Sequence, residues 1–123
     1  PGSIWSFDKA YHGRSLASGV ISCTNRLPIV QIEGHRTLPF PQCQACPINK
    51  QPTTCQAECF DSSAATIARN AASISCIIIE PALGARGYYY APSVFFHRLR
   101  ELTRRFGILL IDDEIQMGMG RLG

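Results

Sequence analysis

An α/β fold built from parallel βαβ units is what this sequence predicts, on three observations. Ser75–Ile79 and Ile108–Ile111 are short, almost wholly apolar runs of strand length, the pattern of strands covered on both faces. Between them Phe95, Leu99, Leu102 and Phe106 recur at helical steps of four, three and four, one apolar stripe on a helix. Both strand candidates end in carboxylates, Glu80 and Asp112–Glu114, and open parallel sheets bind ligands beyond the carboxyl ends of their strands.

The elements follow in order. Ile4–Phe7 is β-branched and aromatic enough for a buried strand. Ala10–Arg14 is a turn-like step, and Ser15–Cys23 is small-residue and weakly helical. Residues 24–54 carry most of the prolines and most of the polar turn formers with no sustained period, an irregular excursion of the kind that tends to be functional or poorly ordered. Cys55–Asn70 reads as a helix, with Ala57, Phe60, Ala64, Ile67 and Ala71 at steps of three and four. Glu80-Pro81 ends the next strand, because proline cannot donate to a ladder. Leu83–Gly87 is a loop, Pro92-Ser93 opens the striped helix, and Gly107 stands where a left-handed cap belongs. Ile108–Ile111 is then a second buried strand.

Composition narrows the function classes. The chain has 123 residues, 17% charged and 46% hydrophobic, which excludes a disordered or tail-like segment and suits one domain at most. No apolar run approaches the roughly 20 residues of a membrane span. With no secretory signal, its six cysteines are expected as reduced thiols in a cytoplasmic setting. A start at Pro1 rather than Met predicts a piece of a longer chain. Ten arginines against two lysines give a net charge of +3; Arg98, Arg100, Arg104 and Arg105 read as a solvated helix face, not a nucleic-acid surface.

The strand-end carboxylates carry the first functional clue. A desolvated carboxylate needs a cation or several hydrogen bonds: a metal, an arginine, a backbone nest or a protonated ring nitrogen would serve. Successive strand residues face opposite ways, so Asp112 and Asp113 do not serve one site together. Capping of the following turn is the competing reading for either or both.

Three stretches then match one family in its order. Ile108-Leu-Leu-Ile-Asp-Asp-Glu-Ile-Gln-Met-Gly-Met-Gly-Arg-Leu-Gly123 resembles the signature of the class III aminotransferases, which depend on pyridoxal phosphate (PLP). Ile77-Ile-Ile-Glu-Pro-Ala-Leu-Gly-Ala-Arg-Gly-Tyr88 resembles their Glu-Pro strand end and glycine loop, and Ala10-Tyr-His-Gly-Arg-Ser15 their aromatic-His-Gly-Arg turn. The resemblance implies that residues 1–123 are part of the large, PLP-binding domain of an aspartate-aminotransferase-like fold, incomplete in this chain. It implies that Asp113 pairs with the pyridine nitrogen, Tyr11 stacks on the ring, His12 lines the site, and Gln116 bonds the phenolic oxygen with Glu80 beside it. It also implies a small-molecule amino donor, a 2-oxo acid acceptor and a homodimer. The same scaffold hosts epimerases and a decarboxylase.

Departures from the pattern bear on substrate choice. Ala85 stands where members commonly have an acidic residue, Asp112 where a small or apolar residue is usual, and Leu122 where threonine is preferred. The lysine that carries the cofactor belongs a few dozen residues beyond Asp113, and the phosphate-gripping Ser/Gly turn upstream of Pro1. Lys9 and Lys50 are the only lysines present, and neither has that place. No catalytic residue is therefore assigned within these 123 residues, and an inactive remnant stays open as a reading.

The cysteine loop is similar to one found in a subset of the family. Its spacing, Cys43-x2-Cys46-x8-Cys55-x3-Cys59, supplies four thiolates for a tetrahedral zinc. A loop of ordinary thiols is the competing reading. A redox role for Cys43–Cys46 lacks the strand-to-helix context, and Gly118-Met-Gly120 is too short for a dinucleotide fingerprint.

Overall fold

A computed structural model describes residues 2–23, 31–51 and 53–122. Four parallel strands form one sheet in the order β2-β1-β3-β6: β1 is Ser3–Phe7, β2 Arg36–Leu38, β3 Ile74–Ile79 and β6 Leu109–Asp112. A two-stranded antiparallel hairpin, β4 (Ala82–Leu83) and β5 (Tyr89–Tyr90), follows β3. The helices are α1 (Leu16–Ile21), α2 (Asp61–Asn70) and α3 (Ser93–Phe106).

The two inner strands carry the apolar load. Trp5 and Phe7 of β1 and Ile77 and Ile79 of β3 are fully buried. α3 crosses from β3 to β6 and sets Phe95, Leu99 and Thr103 inward, with Leu102 and Phe106 half-buried. Phe95 is the hub. Its ring meets Phe7, Phe40, Phe60 and Phe96 edge-on, at centroid distances of 5.1–5.8 Å. Local chemistry sets the helix ends. Ser15 and Ser18 form a reciprocal capping box at the start of α1. Gly107, at φ 66°, turns α3 off while its N–H bonds the carbonyls of Arg104 and Thr103.

Four differences from the sequence reading have physical causes. Part of the excursion at 24–54 lies outside the described residues, 24–30, but Arg36–Leu38 joins the sheet beside β1 as β2; three residues are too few to show a period. The helix expected from Cys55 starts only at Asp61, after a 3-10 turn over Glu58–Phe60. Ala57 is left-handed there (φ 56°), and Arg98 draws in the carbonyls of Gln56 and Ala57 while its other arm bonds Asp61 at 2.6 Å. Arg98 is thus a staple between α3 and the chain entering α2. The loop at 83–87 begins on β4 and forms the turn of the short β4–β5 hairpin, with a 3-10 turn over Gly84–Arg86. Finally, among the described residues β6 pairs with β3 alone, which leaves Leu109 68% and Ile111 43% exposed where the sequence reading expects a buried strand.

A second staple closes the cysteine loop. Lys50 Nζ lies 3.0 Å from the Glu58 carboxylate. The Glu58 N–H, Lys50 and the Gln56 N–H hold the Glu58 carboxyl down at about 2, below its ordinary 4.5. The folded state therefore binds that proton less tightly than the unfolded chain. The stabilisation is present above about pH 4.5 and is lost as pH falls through about 2. Denaturation midpoints measured across that window are expected to fall less steeply in Glu58→Gln than in the wild type; parallel curves would refute the staple.

Candidate functional site

The carboxyl ends of three adjacent strands build the site. Beyond β1 the chain turns through Lys9, at φ 63°, to Tyr11 and His12. Beyond β3 comes Glu80. Beyond β6 the Asp113 N–H donates to the Ile79 carbonyl at 2.8 Å, carrying the ladder one residue further and seating Asp113 beside Glu80.

Asp113 is held from two sides. His12 Nδ1 lies 2.8 Å from Asp113 Oδ2, across 101 residues of sequence, and the His12 side chain is 1% exposed. A carboxylate only accepts, so Nδ1 carries the hydrogen. The Ile115 N–H donates to Oδ1 at 3.3 Å. The Asp113 carboxylate keeps 18% of its surface open, enough for one further donor to reach it. Asp112, one residue earlier, is exposed, as the alternation of a strand requires.

Glu80 is 4% exposed and works as a clamp. Its Oε1 accepts the Tyr11 N–H at 2.7 Å and its Oε2 the Gly84 N–H at 3.4 Å. Burial pushes its carboxyl above the usual range, opposed by those two bonds and by His12. One side chain thereby fixes the height of the Tyr11 turn against the glycine loop. Gln116 lies across that loop: a Cβ on Gly84 would run into its carboxamide. Its Nε2 donates to the Tyr88 hydroxyl at 3.3 Å, with Tyr88 itself left-handed at φ 58°.

Tyr11, His12, Glu80 and Asp113 are thus joined by hydrogen bonds, and Gln116 packs on Gly84, the residue Glu80 holds. Sequence reasoning missed Ser22, whose buried Oγ accepts the His12 N–H at 2.7 Å and donates back toward the α1 turn; no spacing signals it. It also missed Tyr88, which reads as one of three tyrosines in a row. The remaining candidates, Cys43, Cys46, Cys55 and Cys59, sit apart on the loop before α2. Neither lysine stands at Asp113 as a free amine: Lys9 lies over the Tyr89 ring and Lys50 pairs with Glu58.

The arrangement presents an accepting carboxylate, a donating amide and the Tyr11 turn beyond the carboxyl ends of three strands. Relatives share this stretch. The chain is 33% identical over 129 residues to an adenosylmethionine-8-amino-7-oxononanoate aminotransferase of Geobacter sulfurreducens, covering 96% of this chain and 27% of that protein. It is 33% identical over 125 residues to an acetylornithine aminotransferase of Prochlorococcus marinus, covering 98% and 26%. A leucine/methionine racemase of Thermococcus litoralis is 28% identical over 126 residues, covering 98% and 28%. Among solved structures, an amine transaminase from an uncultivated Pseudomonas species, with PLP bound, superimposes at a TM-score of 0.84 with 31% identity, covering 97% of this chain and 28% of that one. The chain therefore spans about a quarter of the length of these relatives. The family profile described as Aminotransferase class-III matches residues 2–123, and the chain belongs to that family.

Proposed function

We propose that the protein containing this chain is a PLP-dependent transaminase, moving an amino group from a small-molecule donor to a 2-oxo acid. The observation that carries the reading is the His12–Asp113 bond at the strand ends, set beside the Gln116 amide and the Tyr11 turn. The donor set fits the cofactor: a partly open carboxylate for a ring N–H, an amide for a phenolic oxygen, and an aromatic ring for the flat face. Bound there, PLP supplies an electron sink for the carbon that loses its proton.

The chain's own residues do the holding. Asp113 would accept from the protonated ring nitrogen, with His12 holding its carboxylate in place. Gln116 would lie at the phenolic oxygen, its amide tethered by Tyr88. Tyr11 would lie against the ring, its turn tied down by Glu80. The lysine that carries the cofactor and the turn that grips its phosphate come from outside these 123 residues, which alone are not expected to catalyse. A homodimer in the cytoplasm is the setting that fits. Its support is the family and the six cysteines, none of them in a disulfide; no helix among the described residues is long and apolar enough to cross a membrane.

The test is to supply the whole protein with PLP and assay amino transfer from a panel of amines and amino acids to 2-oxo acids. Transfer is expected. Exchange of amino-acid enantiomers with no oxo acid required, as the name of the Thermococcus relative suggests for that protein, would replace the transaminase reading. Inactivity with every donor would leave the remnant reading in its place.

A smaller consequence concerns Gly84. Its backbone is not left-handed, so alanine is tolerated conformationally, yet the new methyl displaces Gln116. Gly84→Ala is expected to weaken PLP binding about tenfold, the size of one net hydrogen bond. Circular dichroism should stay unchanged. Unaltered affinity in a cofactor titration would remove Gln116 from the site.

A further inference from the structure

We propose that Cys43, Cys46, Cys55 and Cys59 form a structural Zn2+ site that ties the Cys43–Ala45 turn to the chain entering α2. The strand-end site makes no use of these cysteines, and their pairing by two and three intervening residues has the form of two chelating half-sites.

Folding brings the halves together. Cys43 lies on a 3-10 turn over Cys43–Ala45, with Cys46 at its end. Cys43, Cys46 and Cys55 line one cavity of about 250 Å3 with Lys50, Tyr90, Ala91 and Pro92. Cys59 is near enough to feel the charge of all three, and Cys43 that of Cys55 and Cys46. Three sulfurs from two segments therefore face one cavity, and Cys59 lines a second one with Pro47 and Phe60.

Two of the sulfurs already accept backbone hydrogen bonds. The Lys50 N–H points at Cys46 Sγ at 3.4 Å, and the Ala57 N–H at Cys55 Sγ at 3.3 Å. The second bond spans only two residues and depends on the left-handed turn at Ala57, a conformation uncommon for a residue with a side chain. Such N–H groups would serve as the outer hydrogen bonds of a metal-bound sulfur. On binding a divalent cation, each ligating thiol gives its proton to solvent. Lys50 supplies a positive charge at the cavity wall, facing the net negative charge that four thiolates leave on zinc. Among the described residues no three Cys, His, Asp or Glu side chains are set as ligands of one ion, so binding draws the two turns inward.

The test uses the whole protein, purified reduced, stripped by chelator and titrated with Zn2+ against a chelating dye, then with Co2+. The expected result is one zinc per chain, and a cobalt spectrum with sulfur charge-transfer and tetrahedral bands. Both features should be lost in Cys43→Ser/Cys46→Ser and in Cys55→Ser/Cys59→Ser, and kept in Cys23→Ser. Failure of the wild type to take up stoichiometric metal overturns the proposal without reference to any variant's folding. So does zinc retained by both double variants, or iron with sulfide in place of zinc. Amino-transfer activity is not the readout, so failure here is distinguishable from failure of the transaminase reading.

Discussion

Replacing Asp113 with alanine in the whole enzyme is expected to lower amino transfer by at least about 10²–10³-fold, the loss that follows removal of one preorganised electrostatic partner from an active site. The fold should survive. The Asp113 backbone N–H, not its side chain, extends the β3–β6 ladder through Ile79, and the carboxylate is partly open. What disappears is the one acceptor that His12 and the Ile115 N–H jointly aim. Turnover with the best donor, measured at saturating PLP, decides the matter. A rate within a few-fold of wild type would remove Asp113 from the chemistry. His12→Ala should reproduce part of the loss, because it leaves the carboxylate in place but free to turn.

Phe95→Ala is expected to cost about 3–5 kcal/mol of stability, the range for removing a large aromatic side chain from a packed core. Phe95 is fully buried, and its four edge-on ring partners come from β1, the segment after β2, the turn before α2, and α3 itself. No rearrangement of one neighbour refills a space that four elements share. Phe96→Ala, at a half-buried position one residue on, should cost clearly less. Urea midpoints for the two variants and wild type give the comparison. Equal shifts, or a loss under about 1 kcal/mol for Phe95→Ala, would show that the core closes around the gap.

Much of this architecture is legible in the chain itself, where a pattern runs long enough. α3 shows its stripe over three turns, β1 and β3 show apolar runs, and Gly107 marks an end. β2 and the β4–β5 hairpin leave no such trace, being two or three residues long. β6 misleads for a different reason: Leu109 and Ile111 are as apolar as the residues of β3, but burial belongs to neighbours, and among the described residues β6 has one. The site divides in the same way. Residue types and family likeness single out Tyr11, His12, Glu80, Asp113 and Gln116, yet nothing in the sequence says that His12 bonds Asp113 or that Glu80 spends both oxygens on backbone N–H groups. Those facts depend on register between strands, and register is a property of the folded sheet. Tyr88 and Ser22 escape notice because they act on a side chain and a backbone group of residues distant from them in the chain.

The parallel sheet also sets a timetable. β1 must wait for β3, some 70 residues later in the chain, and β3 for β6, before Asp113 meets His12. Pairings this far apart in sequence are slow to find, since the chain loses loop entropy before any contact compensates. On the ribosome, β1 gains β2 as a neighbour early, but its other edge stays open until β3 emerges, when well over half of this segment has been made. Cofactor affinity should therefore be acquired late and all at once, so that PLP uptake during refolding reports sheet closure and not the formation of any single helix.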